Sequence, residues 1–269
     1  MVRRLRKAFT GTYLGLMLLF LYAPIILLII FSFNDSKTPG NWVGFTLHWY
    51  GDLLRNTAIT DAIGVTLSIA VVSALVATVL GTGAAVGIHS MKKRWRLGIE
   101  NVSQLPMVNP DLVTGISLAL LFLAVGLRNG YLRLLIAHIT FNIPYVLFSV
   151  LPRLRQSSNS LYEAALDLGC TPAQALRKVI FPDIWPGILS GFILAFTLSL
   201  DDFVISFFAG NGIDNLSMYI FSSAKHGINP ALSTVIFVPV VTLLLVVNLR
   251  SIKKEREEEV QNQKTKRKP

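Results

Sequence analysis

Asp201 and Asp202 stand side by side inside a run from Ile188 to Ala209 that is otherwise free of charge. On insertion scales a carboxylate at the centre of a membrane helix costs about 2.5–3.5 kcal/mol, and each Leu or Phe returns only ~0.3–0.6 kcal/mol. A pair of acids in such a run therefore faces a cavity or a partner rather than lipid. Its chemistry is the acceptance of cations along an ion or substrate path. Successive helix residues point about 100° apart, so one of the two faces a path and the other a subunit interface or a helix end. The pattern does not say which. Phe192, Phe196, Phe203, Phe207 and Phe208 share the same run. Aromatic faces hold ammonium groups by cation–π contact, although lipid contact accounts for Phe equally well. Phe196 and Phe203 join the two acids as candidate path residues. Asp111, near the start of another apolar run, reads instead as a charge at a helix N-terminus.

Enzyme chemistry has little to work with. His48, His89, His138 and His226 are scattered without metal-ligand spacing. Cys170 is the only cysteine, which excludes an internal disulfide and a cysteine zinc cluster. No P-loop is present, so ATP hydrolysis by that route belongs to another chain.

The elements that position these groups are membrane helices. Of 269 residues 52% are hydrophobic and 15% charged, against about a quarter charged in soluble domains. Six apolar runs approach the ~20 residues that cross a bilayer: Tyr13 to Phe33, Ile63 to Ile88, Leu112 to Leu127, Leu134 to Leu151, Ile188 to Ala209 and Leu232 to Leu249. The first is too long for a signal peptide and no small-x-small cleavage site follows it, so it reads as an uncleaved span. The formal charge of +10 lies just beyond the runs, as orientation signals do, and not on a nucleic-acid face. Arg3, Arg4, Arg6 and Lys7 precede the first run, Lys92, Lys93, Arg94 and Arg96 follow the second, Arg153, Arg155, Arg177 and Lys178 the fourth, and Arg250, Lys253, Lys254 and Arg256 the sixth. The alternate loops are poorer in basic residues, so both ends are expected in the cytoplasm. The expected organisation is a basic tail at 1–12, a membrane domain at 13–250 with a cytoplasmic loop at 153–186, and a charged, disordered tail at 251–269. Between the first two runs, Trp42, Phe45, Trp49 and Tyr50 suit an interfacial aromatic belt or an external partner. Gly81, Gly83 and Gly87 have the small-residue spacing that lets helices approach closely.

The loop after the fourth run is written for two short helices. Ser160 and Glu163 form a capping box, and Gly169 suits the left-handed residue that closes a helix. Thr171 caps a second helix, with Pro172 at its first position and Gln174 completing another box, and Pro182 stands where that helix should stop. A doubly capped loop outside the membrane is a rigid knob suited to docking, although the caps alone would need the same residues.

In this loop the chain resembles the permease subunits of type I ABC importers. Their signature is Glu-Ala-Ala, three residues, Gly, nine residues, then Ile-x-Leu-Pro. Here Glu163-Ala164-Ala165, Gly169 and Val179-Ile180-Phe181-Pro182 stand at that spacing, with Val179 and Phe181 as apolar departures. The resemblance implies an all-α, polytopic, MetI-like fold of six transmembrane helices, whose loop inserts into a cleft of a separate ATPase. Glu163, Ala164, Ala165, Gly169 and Pro182 would form the docking surface. Phe196 to Ser206, Pro106 to Val113, Asn215 to Ile220 and Asn229 to Thr234 narrow the resemblance to PotC-type spermidine/putrescine permeases, over nearly the whole chain up to Arg250. That family implies a homologous second permease, a homodimeric ABC ATPase that uses ATP and Mg, and an extracytoplasmic polyamine-binding protein. No cofactor on this chain and no nucleic acid are implied.

Two rival readings remain. An importer permease for an iron complex or an inorganic anion would share the loop, but anionic cargo fits poorly with two membrane acids. A secondary transporter would need an ion-coupling network in one chain, often with an inverted repeat, and would leave the capped loop without a use.

Overall fold

The computed structural model describes residues 2–36, 41–157 and 159–225. The expected sixth span, the charged tail and His226 lie outside the described residues. Among those described, the chain is helical and forms no strand, only a single bridge between Asn34 and Phe45. It divides into two compact units, 1–57 with 222–269, and 58–221.

In the first unit α1 (Val2–Phe31) carries the apolar stretch Gly11–Phe31, whose described side chains are largely exposed. Apolar side chains around a whole helix call for lipid or partner helices. The chain then turns on polar contacts. Asn34 donates to Asn41 O at 2.6 Å and accepts from Val43 N at 2.8 Å. Trp49, on α2 (His48–Arg55), donates through Nε1 to Asn34 O at 2.9 Å. The Tyr50 hydroxyl lies 2.7 Å from Ser32 Oγ. Trp49 is therefore 8% exposed, whereas Trp42 at 55% and Phe45 at 70% are exposed, Phe45 stacking on Phe33 at 5.7 Å.

The second unit is built around α6 (Gly130–Gln156), with α3 (Thr57–Ser90) and α9 (Phe181–Asp201) against it. α3, α6 and α9 share an apolar core of Ala74, Ala77, Val146, Val150, Ile184 and Ala195. A second core joins Ile69, Phe122, Leu134, Ala137, Ile205 and Ala209 from α3, α5 (Asp111–Ala124), α6 and α10 (Val204–Ala209). Val146 is fully buried. A Cβ on Gly81 of α3 would fall 2.8 Å from Val146 Cβ, and one on Gly191 of α9 would fall 3.2 Å from Val146 Cα. Gly83 and Gly87, which share the spacing, face open space. Gly81→Ala is accordingly expected to destabilise the helix packing by ~1–3 kcal/mol through overpacking. Gly83→Ala leaves the unfolding midpoint unchanged or raised. Thermal unfolding of both variants in detergent checks this, and equal midpoints would remove the argument.

Four described helices are long and apolar enough to cross a membrane: Gly11–Phe31, Thr57–Ser90, Gly130–Gln156 and Pro172–Asp201. The expected third span differs. α5 has only 14 residues, about 21 Å at the helical rise, and α4 (Lys93–Val108) meets it at 100°. Pro110 causes the bend, because a residue before proline is pushed to extended backbone. Asn109 has φ −71° and ψ 133°. The expected fifth span differs as well. Its helix ends at Asp201, the backbone is extended at Asp202 (φ −60°, ψ 122°), and α10 begins at Val204.

Candidate docking loop and membrane path

The loop after α6 folds as its sequence requires at two of four points. α7 (Asn159–Asp167) ends on Gly169 at φ +85°, where Cys170 N bonds to Ala165 O and Gly169 N to Leu166 O. That pair of bonds is a Schellman closure, and its left-handed residue favours glycine. Thr171 and Gln174 exchange side-chain and backbone bonds of 3.3 and 3.0 Å at the start of α8 (Pro172–Ala175). Ser160 falls inside α7 rather than before it, and its side chain lies outside the described residues. Pro182 does not stop the helix. A π-helical turn, Leu176–Ile180, joins α8 to α9, with Phe181 N bonded five residues back to Leu176 O. The wider turn carries the chain past a residue that has no N–H to give. Pro172–Asp201 is thus one helix of 30 residues.

Glu163 and Ala164 are exposed on α7, while Ala165 is 8% exposed and turned inward. The small side chain of Ala165 thus serves the packing of α7 on α8 and the π turn. A cavity of about 460 Å³ lies between the loop and the ends of α3 and α6, apolar apart from His89, Ser90, Ser157, Tyr162 and Glu163. Nearby, Arg155 donates to Glu100 Oε1 of α4 at 2.5 Å, which ties α4 to the base of α6.

At the α9–α10 break the two acids part. Asp201 is exposed. The side chain of Asp202 is 8% exposed and wholly engaged. Its carboxylate accepts from Ile205 N at 3.3 Å, from Ser206 N at 2.8 Å and from Ser206 Oγ at 2.7 Å, and His138 Nε2 lies 3.6 Å away. Phe203 joins an aromatic group with Phe221 at 4.5 Å and Phe207 at 5.5 Å. Phe196 instead packs on the core of α3, α6 and α9 and stacks on Phe192 at 6.3 Å. Asp111 stands exposed in the first turn of α5, as a helix N-terminal charge should. Among the described residues no cluster of His, Cys, Asp and Glu can hold a metal.

Residues 77–252 match the protein family described as "Binding-protein-dependent transport system inner membrane component". The chain belongs to this family. The permease is 44% identical over 228 residues to the putrescine transport system permease protein PotI of Escherichia coli strain K12, covering 81% of each chain. It is 37% identical over 250 residues to the spermidine/putrescine transport system permease protein PotC of the same strain, covering 91% of this chain and 94% of that one. In fold it matches a chain of a bacterial ABC transporter that imports the acidic polysaccharide alginate. The TM-score is 0.67 at 20% identity, over 93% of this chain and 95% of that one. The permease is a non-catalytic, multi-pass component of the bacterial inner membrane.

The residue pattern assigns no site role to His138, Asn142, Ser199, Ser206 or Asn215, although His138 is among the scattered histidines and Ser199, Ser206 and Asn215 lie in the stretches that carry the resemblance. All are buried in the permease. Asn142 Nδ2 donates to Ser199 Oγ at 2.7 Å, and Ser199 lies 3.1 Å from Ser73 on α3. The available signal was a polar residue inside an apolar helix, which by itself does not separate a packing partner from a path residue.

Proposed function

We propose that the permease forms, with a homologous second permease, the membrane path of an ATP-driven importer for polyamines, spermidine or putrescine. The observation that carries this reading is identity of 37–44% to PotC and PotI over most of the chain. An exposed carboxylate, Asp201, at a broken membrane helix supports it. Intramembrane acids on discontinuous helices are a recurrent way to receive cations. Asp201 is the residue assigned to the ammonium groups of the cargo, with Phe203 beside the break. Phe196 has a packing role, and Asp202 acts from within.

The proposed topology has six spans with both termini cytoplasmic, a basic tail at 1–12, the membrane domain at 13–250 and a charged tail at 251–269. The loop at 153–186 then meets a homodimeric ABC ATPase, which supplies ATP and Mg chemistry. Glu163 and Ala164 offer the contact surface, and Ala165, Gly169 and Pro182 shape it. An extracytoplasmic polyamine-binding protein delivers the cargo.

The test uses the whole complex in proteoliposomes. Spermidine and putrescine are expected to raise its ATPase rate and to be taken up. A ferric complex and phosphate are expected to do neither. Stimulation by phosphate or iron and none by polyamines would overturn the cargo. Uptake without any ATPase subunit would overturn the importer.

A further inference from the structure

The break between α9 and α10 has no backbone cause. The stretch Leu198-Ser-Leu-Asp-Asp-Phe-Val-Ile-Ser206 contains neither Pro nor Gly, the residues that ordinarily interrupt a helix. In an unbroken helix the amides of Ile205 and Ser206 would bond to the carbonyls of Asp201 and Asp202, four residues back. Here the Asp202 carboxylate takes both amides. Both carbonyls so released find side chains. Asn215 Nδ2 donates to Asp202 O at 2.9 Å, and Ser217 Oγ approaches Asp201 O at 3.4 Å. Every backbone group that the break frees at these four positions is answered by a side chain, as a buried break requires.

The carboxylate is held in turn. Ser206 Oγ gives its one proton to Asp202 and receives Asn215 Nδ2 at 2.8 Å. His138 Nε2, 3.0 Å from the same oxygen, must therefore be the donor there. His138 Nδ1 is buried without a partner among the described residues, which suits a bare ring nitrogen better than a second N–H. Asn215 is anchored from behind, because its neighbour Leu216 donates through N to Thr66 Oγ1 on α3 at 2.8 Å. Residues of α3, α6, α10 and the segment before α11 (Leu216–Lys225) thus converge on one acid.

We infer that His138, Ser206 and Asn215 are positioning residues that hold the α9–α10 break open through Asp202 and so keep α10 from continuing α9 past the exposed Asp201. The break is conditional: with the clamp released, the chain across Asp201–Ser206 has the composition to close into one helix, and the opening beside the Asp201 carboxylate is then lost. Its uptake consequence rests on the polyamine reading, but its geometry does not.

The test combines both. On a Cys170→Ser background, spin labels at Ser190→Cys and Phe207→Cys report the distance across the break in the assembled complex. An unbroken helix sets it at about 26 Å. His138→Leu and Asn215→Ala are expected to move the distribution toward that value and to lower maximal uptake roughly tenfold, with the second permease and the ATPase still bound. His138→Gln returns a donor to Ser206 and is expected to recover the wild-type distance and at least half of the uptake. A merely space-filling role for His138 would rank Leu and Gln alike, so that result overturns the clamp. Unchanged distances in both His138→Leu and Asn215→Ala overturn it too. A wild-type complex that takes up no polyamine, yet shows the shifted distances in the variants, keeps the clamp and removes the cargo.

Discussion

Glu163→Arg is expected to bring uptake to background and to release the ATPase from the purified complex. Glu163 is exposed on α7 and takes no hydrogen bond or ion pair from this chain among the described residues. What the change inverts is the charge presented by a rigid knob. α7 is closed by Gly169, α8 is boxed by Thr171 and Gln174, and neither can yield to accommodate a new side chain. At a desolvated protein contact, truncating one partner of a charge pair costs ~2–5 kcal/mol, and reversal adds repulsion. At about 1.4 kcal/mol per decade this is a loss of ~30-fold to several thousand-fold in affinity. Co-purification of the ATPase in mild detergent and uptake in cells read the two consequences. The second permease is expected to stay bound. Normal transport by the variant would remove the loop from the coupling route.

The second large effect belongs to Asp201→Asn, which is expected to abolish polyamine uptake while the complex assembles and binds its ATPase normally. Asn has nearly the same shape, and the Asp201 carboxylate receives no hydrogen bond from another residue among those described, Ser217 Oγ bonding only to its backbone carbonyl. The change therefore removes a charge and little else. A hydrogen bond to a charged group contributes ~1.5–3 kcal/mol, so the loss amounts to about 10- to 150-fold per ammonium contact. Asp202→Asn is expected to fail as well, by another route. Whichever way its amide turns, the NH2 would face a backbone N–H, of Ile205 or of Ser206, that the carboxylate accepts, and the clamp would open. The spin-label distance separates the two variants, since only the second shifts it. Wild-type uptake by Asp201→Asn would take the path away from this residue.

The parts of this structure that were legible in the residues are those whose causes are local. Gly169 and the Thr171–Gln174 pair act within a few residues of themselves, and the chain folds there as their chemistry demands. Pro110 was visible and marks the break, but a proline does not by itself fix the angle of 100° at which α4 and α5 meet. Pro182 misled because a proline can be bypassed by a π turn, and nothing in its neighbours announces one. The break at Asp202 was hidden for a deeper reason. Its partner His138 lies on another helix, and Asn215 beyond α10, so the run from Ile188 to Ala209 reads as one helix until they are in place. Gly81, Gly83 and Gly87 looked equivalent, and only the position of Val146 distinguishes them.

The π turn has a mechanical consequence. Because the chain passes Leu176–Ile180 and Pro182 without a joint, Pro172 and Asp201 are the two ends of a single pushrod, about 45 Å long at the helical rise. A displacement of the first end would be carried along one continuous backbone toward the second, which ends at the clamped residue next to the exposed acid.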